Sequence, residues 1–167
     1  MADKRVIIKE GVEHSGIFKF SDFYEFAFRW LKEEDFGVIE EKYKEKVNGN
    51  ARDIVVEWRA DKPISDYFKF EMPIKMEIQG LVDVEVEIDD KKKKMNKGAI
   101  KVELKGVMIQ DPESKWSSSP IYQFMRDRYN KYVINKRIDE QETKLKDYLR
   151  DFKEELKAFL ELQGRRK

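Results

Sequence analysis

The sequence predicts an α+β domain: an antiparallel sheet of five to six strands that grips a long C-terminal helix, with one aromatic helix near the N-terminus. Apolar and charged residues alternate with a period of two between Val38 and Ile109, which is typical of antiparallel strands with one solvated face. A helical segment with few polar residues precedes these strands. A long stretch with helical periodicity follows them.

The composition indicates one folded domain whose charges cancel. A chain of 167 residues fits a single domain. Charged residues make up 41%, against about 25% in typical domains. Lys and Arg number 35 and Asp and Glu 34, which gives a net charge of +1. This balance argues against a nucleic-acid partner, because such proteins usually carry a basic excess that neutralises phosphates.

The chain contains no cysteine, which excludes disulfides, thiolate metal sites and a cysteine nucleophile. No apolar run approaches the roughly 18 residues of a membrane span, and Val6–Ile8 is too short for a signal peptide. We therefore expect a cytoplasmic location. Abundant Glu and Lys without cysteine fit a thermophilic source, or equally a lysine-biased genome.

The N-terminal region predicts a short strand and a helix. Lys4–Glu10 is rich in β-forming residues, and Gly11–Gly16 reads as a turn. Ser21 or Asp22 is the predicted helix cap, and Gly37 is the predicted end. The helix has little polar face, so we expect it to lie between the sheet and another element. Its apolar residues are Phe20, Phe23, Tyr24, Phe26, Phe28, Trp30 and Leu31.

Turn signals divide the β region into strands. Asn48-Gly49 predicts a hairpin. Gln79–Leu81 reads as a three-residue hairpin, because one strand from Phe68 to Ile88 would span roughly 70 Å. The predicted strands are Val38–Val47, Asp53–Ala60, Tyr67–Ile78, Leu81–Asp89 and Gly98–Ile109.

The last predicted helix begins after Ser119-Pro120 and ends at Gly164. Its apolar stripe changes sides near residues 134–138, so the helix either breaks near Asn135 or changes partners there. The second stripe has the spacing of a helix-pair seam, formed by Leu145, Leu149, Phe152, Leu156 and Phe159. Its partner is either the aromatic helix or the same segment of a second chain.

Few residues suggest chemistry, and no catalytic residue, metal or cofactor is predicted. His14 is the single histidine and has no ligand-like spacing to a partner, so we interpret it as a surface turn residue. Glu41 and Glu45 share strand parity with Tyr43. They are either inward-facing carboxylates suited to acid–base work or part of a solvated edge strand. Lys91–Lys97 is either a solvated hairpin tip or a contact for nucleic acid or an anionic membrane.

The order of elements resembles the START-like helix-grip superfamily. The matching pieces are Arg5–Glu10, Phe20–Asp35, the strands from Val38 to Ile109, and Pro120–Val133. The resemblance implies a sheet curled round the C-terminal helix, with an apolar cavity that in many members binds lipids, sterols or polyketides. On this basis residues 1–135 form the helix-grip-like domain, and residues 136–167 form an amphipathic helical extension of it.

The leading functional prediction is a non-catalytic binding module for a hydrophobic small molecule. The alternative is a structural or interaction protein with a filled core, which dimerises or docks a partner through the seam Leu145, Leu149, Phe152, Leu156 and Phe159. An enzyme that uses Glu41 and Glu45 is a third hypothesis. The predicted cavity lining is Tyr43, Trp58, Phe70, Met72, Ile74, Val84, Val102, Leu104, Phe124, Met125, Tyr129 and Tyr132.

Overall fold

The computed structural model describes residues 3–65, 67–110 and 135–164. It has the predicted α+β class, with a five-stranded antiparallel sheet and a C-terminal helix. The strand order is β1-β5-β4-β3-β2, so β1 and β2 are the two edges. The predicted helix start at Pro120 and the predicted break near Asn135 depend on residues 111–134, which lie outside the described residues. The elements are β1 (Asp3–Phe18), α1 (Phe20–Glu33), β2 (Gly37–Asn48), β3 (Ala51–Pro63), β4 (Phe68–Ile88), β5 (Lys91–Gln110) and α2 (Asn135–Gly164).

Both helices pack on one face of the sheet, which we call the helix-covered face. The other, on which neither described helix packs, we call the open face, although Val86, Met95, Val107 and Ile109 on it are buried. Trp58, Ile74 and Leu104 form one cross-strand row on the helix-covered face. Each is at most 2% exposed, and full burial of such side chains contributes about 1.5–3 kcal/mol each. The predicted alternation is confirmed for β3, for β4 up to Ile78 and for β5 from Ile100 to Lys105, whereas Gly106, Val107, Met108 and Ile109 are all buried. α2 adds Leu145, Leu149, Phe152, Leu156 and Leu160 to the same core.

α1 contacts both the sheet and α2, so it is covered on two sides as its sequence predicts, and α2 lies beside it on the same face of the sheet. Tyr24 contacts Trp58 of β3 edge to face, with ring centroids 4.9 Å apart. Trp30 stacks on Phe152 of α2, with centroids 4.7 Å apart. The helix therefore buries residues on two sides, and the fully covered ones are Phe20, Phe23, Ala27 and Leu31.

The N-terminus of α1 is capped by distant residues, so the predicted local cap at positions 21–22 is wrong. The N-cap residue is Lys19, which makes no side-chain cap hydrogen bond. The Phe20 amide donates to Asn96 Oδ1 of β5 at 3.0 Å. The Lys19 amide donates to Gln163 Oε1 of α2 at 2.7 Å. These tertiary contacts satisfy backbone donors that a local cap would otherwise serve.

The C-terminus of α1 turns at Asp35, and the prediction that Gly37 ends the helix is wrong. Asp35 has a φ of 64°, a left-handed conformation that Asp tolerates better than most residues. The Phe36 amide then donates to the Leu31 carbonyl at 2.9 Å, which satisfies one of the last helical acceptors. Gly37 is instead the first residue of β2.

β1 continues to Phe18, so the predicted turn at Gly11–Gly16 is wrong. Its residues pair with β5 on both sides of that segment, down to Phe18 opposite Asn96. Ladder pairing with β5 therefore outweighs the local preference of glycine for turns. His14 consequently lies in a strand on the helix-covered face, where it is half-buried. Its ring and that of Phe18 meet edge to face, with centroids 5.9 Å apart. Its interpretation as a surface turn residue is wrong.

β4 is one strand, and the predicted hairpin at Gln79–Leu81 is wrong. Gly80 has a φ of 62°, and the register with β5 shifts around it, which makes a β-bulge. Gly98 of β5 faces this bulge so closely that an added Cβ would lie 3.1 Å from the Gln79 carbonyl oxygen. Gly98 also pairs with Gly16 of β1. The bulge bends the strand locally, so a long strand fits without a turn.

The bulge moves the second half of β4 to the other face. Val82 pairs with Lys97 and Val84 with Met95, which places these valines on the open face. Leu81 takes the helix-covered position and is fully buried. A one-residue shift inverts every later side chain, which explains why the predicted orientation of Val84 is wrong.

The lysine run belongs to a strand and not to a loop. β4 and β5 are joined by Asp89 and Asp90 alone, both with positive φ (51° and 63°), as a type I′ turn requires. Of the lysines that follow, Lys92 lies opposite Glu87 and Lys94 opposite Glu85. The basic charge at this end of the hairpin is therefore interleaved with acidic charge.

Candidate functional site

β2 is an exposed edge strand. It pairs with β3 on one side, and no described strand lies on its other side. Every residue of β2 except Val38 is exposed. Of the exposed large hydrophobic residues described, three lie on β2: Ile39 (49%), Tyr43 (48%) and Val47 (63%). The edge-strand interpretation of this segment is confirmed.

A second bulge separates the two glutamates that the sequence placed on one face. The register with β3 shifts across Glu41. Glu41 lies on the open side, 3.7 Å from an Arg59 nitrogen. Glu45 lies opposite Ile54 on the helix-covered side, 3.5 Å from Arg52. The predicted pair of inward-facing carboxylates is therefore wrong, and both charges have an arginine partner.

Glu40 differs from Glu41 and Glu45 because its hydrogen-bond partners are neutral. It lies opposite Trp58 in the register, and its Oε1 accepts hydrogen bonds from Trp58 Nε1 at 3.3 Å and from Tyr24 Oη at 2.7 Å. No lysine or arginine of the described residues forms an ion pair with it. Glu40 is thus an exposed carboxylate held by neutral donors.

Aromatic rings surround Glu40. Tyr24 and Phe28 lie one helical turn apart on α1, and both contact Trp58, at centroid distances of 4.9 Å and 6.1 Å. Tyr43 is the next β2 side chain on the helix-covered side. Trp58 is buried, whereas Phe28 is 38% and Tyr43 48% exposed. We call Tyr24, Phe28, Glu40, Tyr43 and Trp58 the aromatic patch.

The two tyrosines of the patch stay protonated at neutral pH. Burial raises the pKa of Tyr24 to about 12, with further contributions from its hydrogen bond to Glu40 and the charge of that carboxylate. Burial also raises the pKa of Tyr43, followed by the charges of Glu45 and Glu40. The formal charge of the patch at neutral pH therefore resides on Glu40.

The predicted cavity residues separate into three groups. Six lie together on the helix-covered face and are at most 2% exposed: Trp58, Phe70, Met72, Ile74, Val102 and Leu104. Tyr43 lies at the exposed edge, and Val84 lies on the open face. Phe124, Met125, Tyr129 and Tyr132 lie outside the described residues. The hydrophobic ligand cavity stays a prediction, and six of its predicted lining residues are buried in the core.

The predicted seam of α2 packs inside the chain. Leu145, Leu149, Phe152 and Leu156 are fully buried in the core. Phe159 is partly buried and stacks on Phe26 of α1 at 4.7 Å. Of the two partners predicted for the seam, the aromatic helix contacts it, and the sheet packs against it as well. Docking of a second chain there stays a prediction.

The remaining surface offers shallow, charged sites. A depression of about 320 Å³ on the open side is bordered by Glu13, Glu77 and Lys101, which alternate in charge along one cross-strand row. In the described part of the chain, no group of three or more His, Asp or Glu side chains is arranged to hold a metal. Neither α1 nor α2 is long and apolar enough to cross a membrane.

Sequence reasoning missed Glu40, Tyr24 and Phe28 as a site. The spacing of Tyr24 and Phe28 marks one helix face, but nothing local shows that this face meets β2 and β3. No protein-family model, curated protein or solved structure matches the chain. The surface of β2 and the aromatic patch beside it are therefore the features on which a function can be argued.

Proposed function

We propose that the chain is a non-catalytic interaction module that binds an extended segment of another protein along β2. The observation that carries the proposal is the exposed 12-residue edge strand with Ile39, Tyr43 and Val47 on its surface. An added strand gains affinity from main-chain hydrogen bonds and specificity from alternate side chains. Six of the residues predicted to line a hydrophobic cavity are at most 2% exposed on the helix-covered face, which supports this function over a hydrophobic cavity.

The charge of β2 indicates the chemistry of the partner. After the bulge, Lys42, Lys44 and Lys46 all lie on the open side, opposite Glu57, Val55 and Asp53. All three lysines are exposed and form no ion pair with a described carboxylate. A partner strand with acidic residues at alternate positions would place carboxylates opposite this row, and such cross-strand pairs contribute roughly 0.2–1 kcal/mol each.

The same lysines oppose pairing of β2 with a second copy of itself. A symmetric antiparallel pair keeps both open faces on the same side. In the register centred on Tyr43, Lys42 of one copy would lie opposite Lys44 of the other. Like charges directly opposite are destabilising, and lysines on edge strands commonly protect proteins against self-association. The segment bound at β2 is therefore expected to come from a different protein.

A charge-reversal experiment tests the proposal. Two peptides of about ten residues alternate Thr with Glu or Thr with Lys, and amide chemical shifts of the isotope-labelled chain report binding. We expect the Glu peptide to shift the amides of β2. Lys44→Glu should lower the affinity for the Glu peptide about tenfold and raise the affinity for the Lys peptide, because one cross-strand attraction becomes a repulsion.

The matched control is Lys9→Glu, the same charge change on the open side of β1 at the other edge. It should leave the affinity for the Glu peptide unchanged. Absence of β2 shifts with either peptide would refute strand addition. Equal losses of affinity for the Glu peptide in Lys44→Glu and Lys9→Glu would show that the net charge of the chain, and not the β2 edge, controls binding.

A further inference from the structure

We infer that the aromatic patch binds a cationic side chain of the partner segment, a guanidinium or an ammonium group; this rests on the proposed strand addition at β2. Glu40 differs from the other glutamates of β2 in its lack of a counter-ion. Glu41 and Glu45 each have an arginine within 4 Å. Glu40 has two neutral donors instead.

The hydrogen bonds of Glu40 leave one oxygen for a ligand. Both described donors, Tyr24 Oη and Trp58 Nε1, use Oε1. These two donors hold the Glu40 carboxylate against α1 and β3, and neither of them contacts Oε2. Because a carboxylate accepts up to about four hydrogen bonds, Oε2 can accept N–H donors from a cation that arrives at the exposed side.

The rings of the patch favour the same class of ligand. Aromatic faces attract cations within about 6 Å of the ring centroid. The chain already shows this chemistry at the patch, because Lys32 Nζ lies 5.6 Å from the centroid of Phe28. Tyr43 is half exposed beside Glu40 and does not form such a contact within the described residues. An anionic group would be repelled by Glu40.

The location of the patch relates it to the bound strand. Glu40 and Tyr43 lie on the helix-covered side of β2, whereas Lys44 lies on the open side. Directly paired residues on neighbouring strands have Cβ atoms about 4.5–5.5 Å apart. A strand added at β2 would thus meet lysines on one side and Glu40 on the other. The matching segment alternates acidic with basic residues.

A pair of peptides tests the inference. The Glu peptide described above carries either arginine or its neutral analogue citrulline at one central Thr position. We expect the arginine peptide to bind the unmodified chain about tenfold more tightly, and Glu40→Gln to reduce this ratio several-fold, because the carboxylate is lost while the aromatic rings remain. The control variant Glu45→Gln should keep the ratio, because Glu45 already pairs with Arg52.

The outcomes separate the two proposals. Equal affinities for both peptides in the unmodified chain, with the β2 shifts still present, would overturn the patch inference and leave strand addition intact. If neither peptide binds, methylguanidinium is titrated alone, with the Trp58 indole N–H resonance as the reporter. A chemical-shift change that Glu40→Gln abolishes would support cation binding at the aromatic patch and refute strand addition at β2. No shift would reject both.

Discussion

Phe152→Ala should destabilise the chain by about 4 kcal/mol. Phe152 is fully buried on α2, where it stacks on Trp30 of α1 with centroids 4.7 Å apart and planes inclined by 23°. Truncation of a buried phenylalanine costs roughly 3–5 kcal/mol, because apolar contacts are lost and a cavity remains. The aromatic stack, whose loss is part of that total, accounts for about 0.5–1.5 kcal/mol.

Urea denaturation followed by far-ultraviolet circular dichroism measures this change. With an m-value of about 2 kcal/mol/M, the midpoint should fall by about 2 M. The control is Leu162→Ala on the same helix, where Leu162 is 57% exposed. This surface substitution should change stability by less than about 0.5 kcal/mol.

The same experiment distinguishes a seam packed within one chain from a seam shared by two. Unfolding of an obligate dimer depends on protein concentration, whereas unfolding of a monomer does not. We expect the same midpoint at concentrations that differ by about a hundredfold. An unmodified chain whose midpoint rises with concentration, or a Phe152→Ala variant as stable as Leu162→Ala, would refute the packing described above.

Two further changes test specific contacts. Lys62→Met should lower the free energy of unfolding by about 1–3 kcal/mol, because Lys62 Nζ donates to the Glu34 carbonyl at 2.8 Å and to Tyr148 Oη at 2.9 Å. Thermal denaturation measures the change, and an unchanged midpoint would show that these bonds do not link the end of α1 to α2. Tyr24→Phe should reduce the loss of stability at alkaline pH. The folded pKa of Tyr24, about 12, exceeds its ordinary value of 10.0, so its contribution is present below pH 10 and disappears as the pH rises towards 12. Urea midpoints of the unmodified chain and of Tyr24→Phe, measured from neutral to alkaline pH, give the difference in stability. Tyrosinate absorbance locates the ionisation of Tyr24. Identical pH profiles of the two proteins would contradict the raised pKa of Tyr24.

Alternation along β3, along β4 up to Ile78 and along β5 from Ile100 to Lys105 was predictable because these segments bury one face and leave the other more exposed. Met72, Met76 and Val102 are buried as their parity requires. The aromatic content of α1 likewise showed that the helix is covered on two sides. Both inferences depend on patterns that repeat over many residues, so one exception does not change them.

Features that depend on a single residue or a distant contact were not predictable. The bulge at Gly80 leaves the apolar pattern intact, so Val84 was assigned to the wrong face. The start of α1 depends on Asn96, which lies far from it in sequence. Likewise, Tyr24, Glu40 and Trp58 become a site only because a helix, an edge strand and its neighbour meet. No local pattern encodes that meeting.

The bulge at Glu41 connects the fold to both proposals. Without the extra residue, simple alternation from Glu40 would place Lys42, Lys44 and Lys46 on the helix-covered side and Tyr43 on the open side. With it, the lysines share the open side, and Tyr43 lies next to Glu40. Bulges commonly re-aim side chains next to functional sites and limit unwanted edge pairing. Here one bulge sorts the charges of the edge strand, so that a bound segment would meet ammonium groups on one side and a carboxylate among aromatic rings on the other.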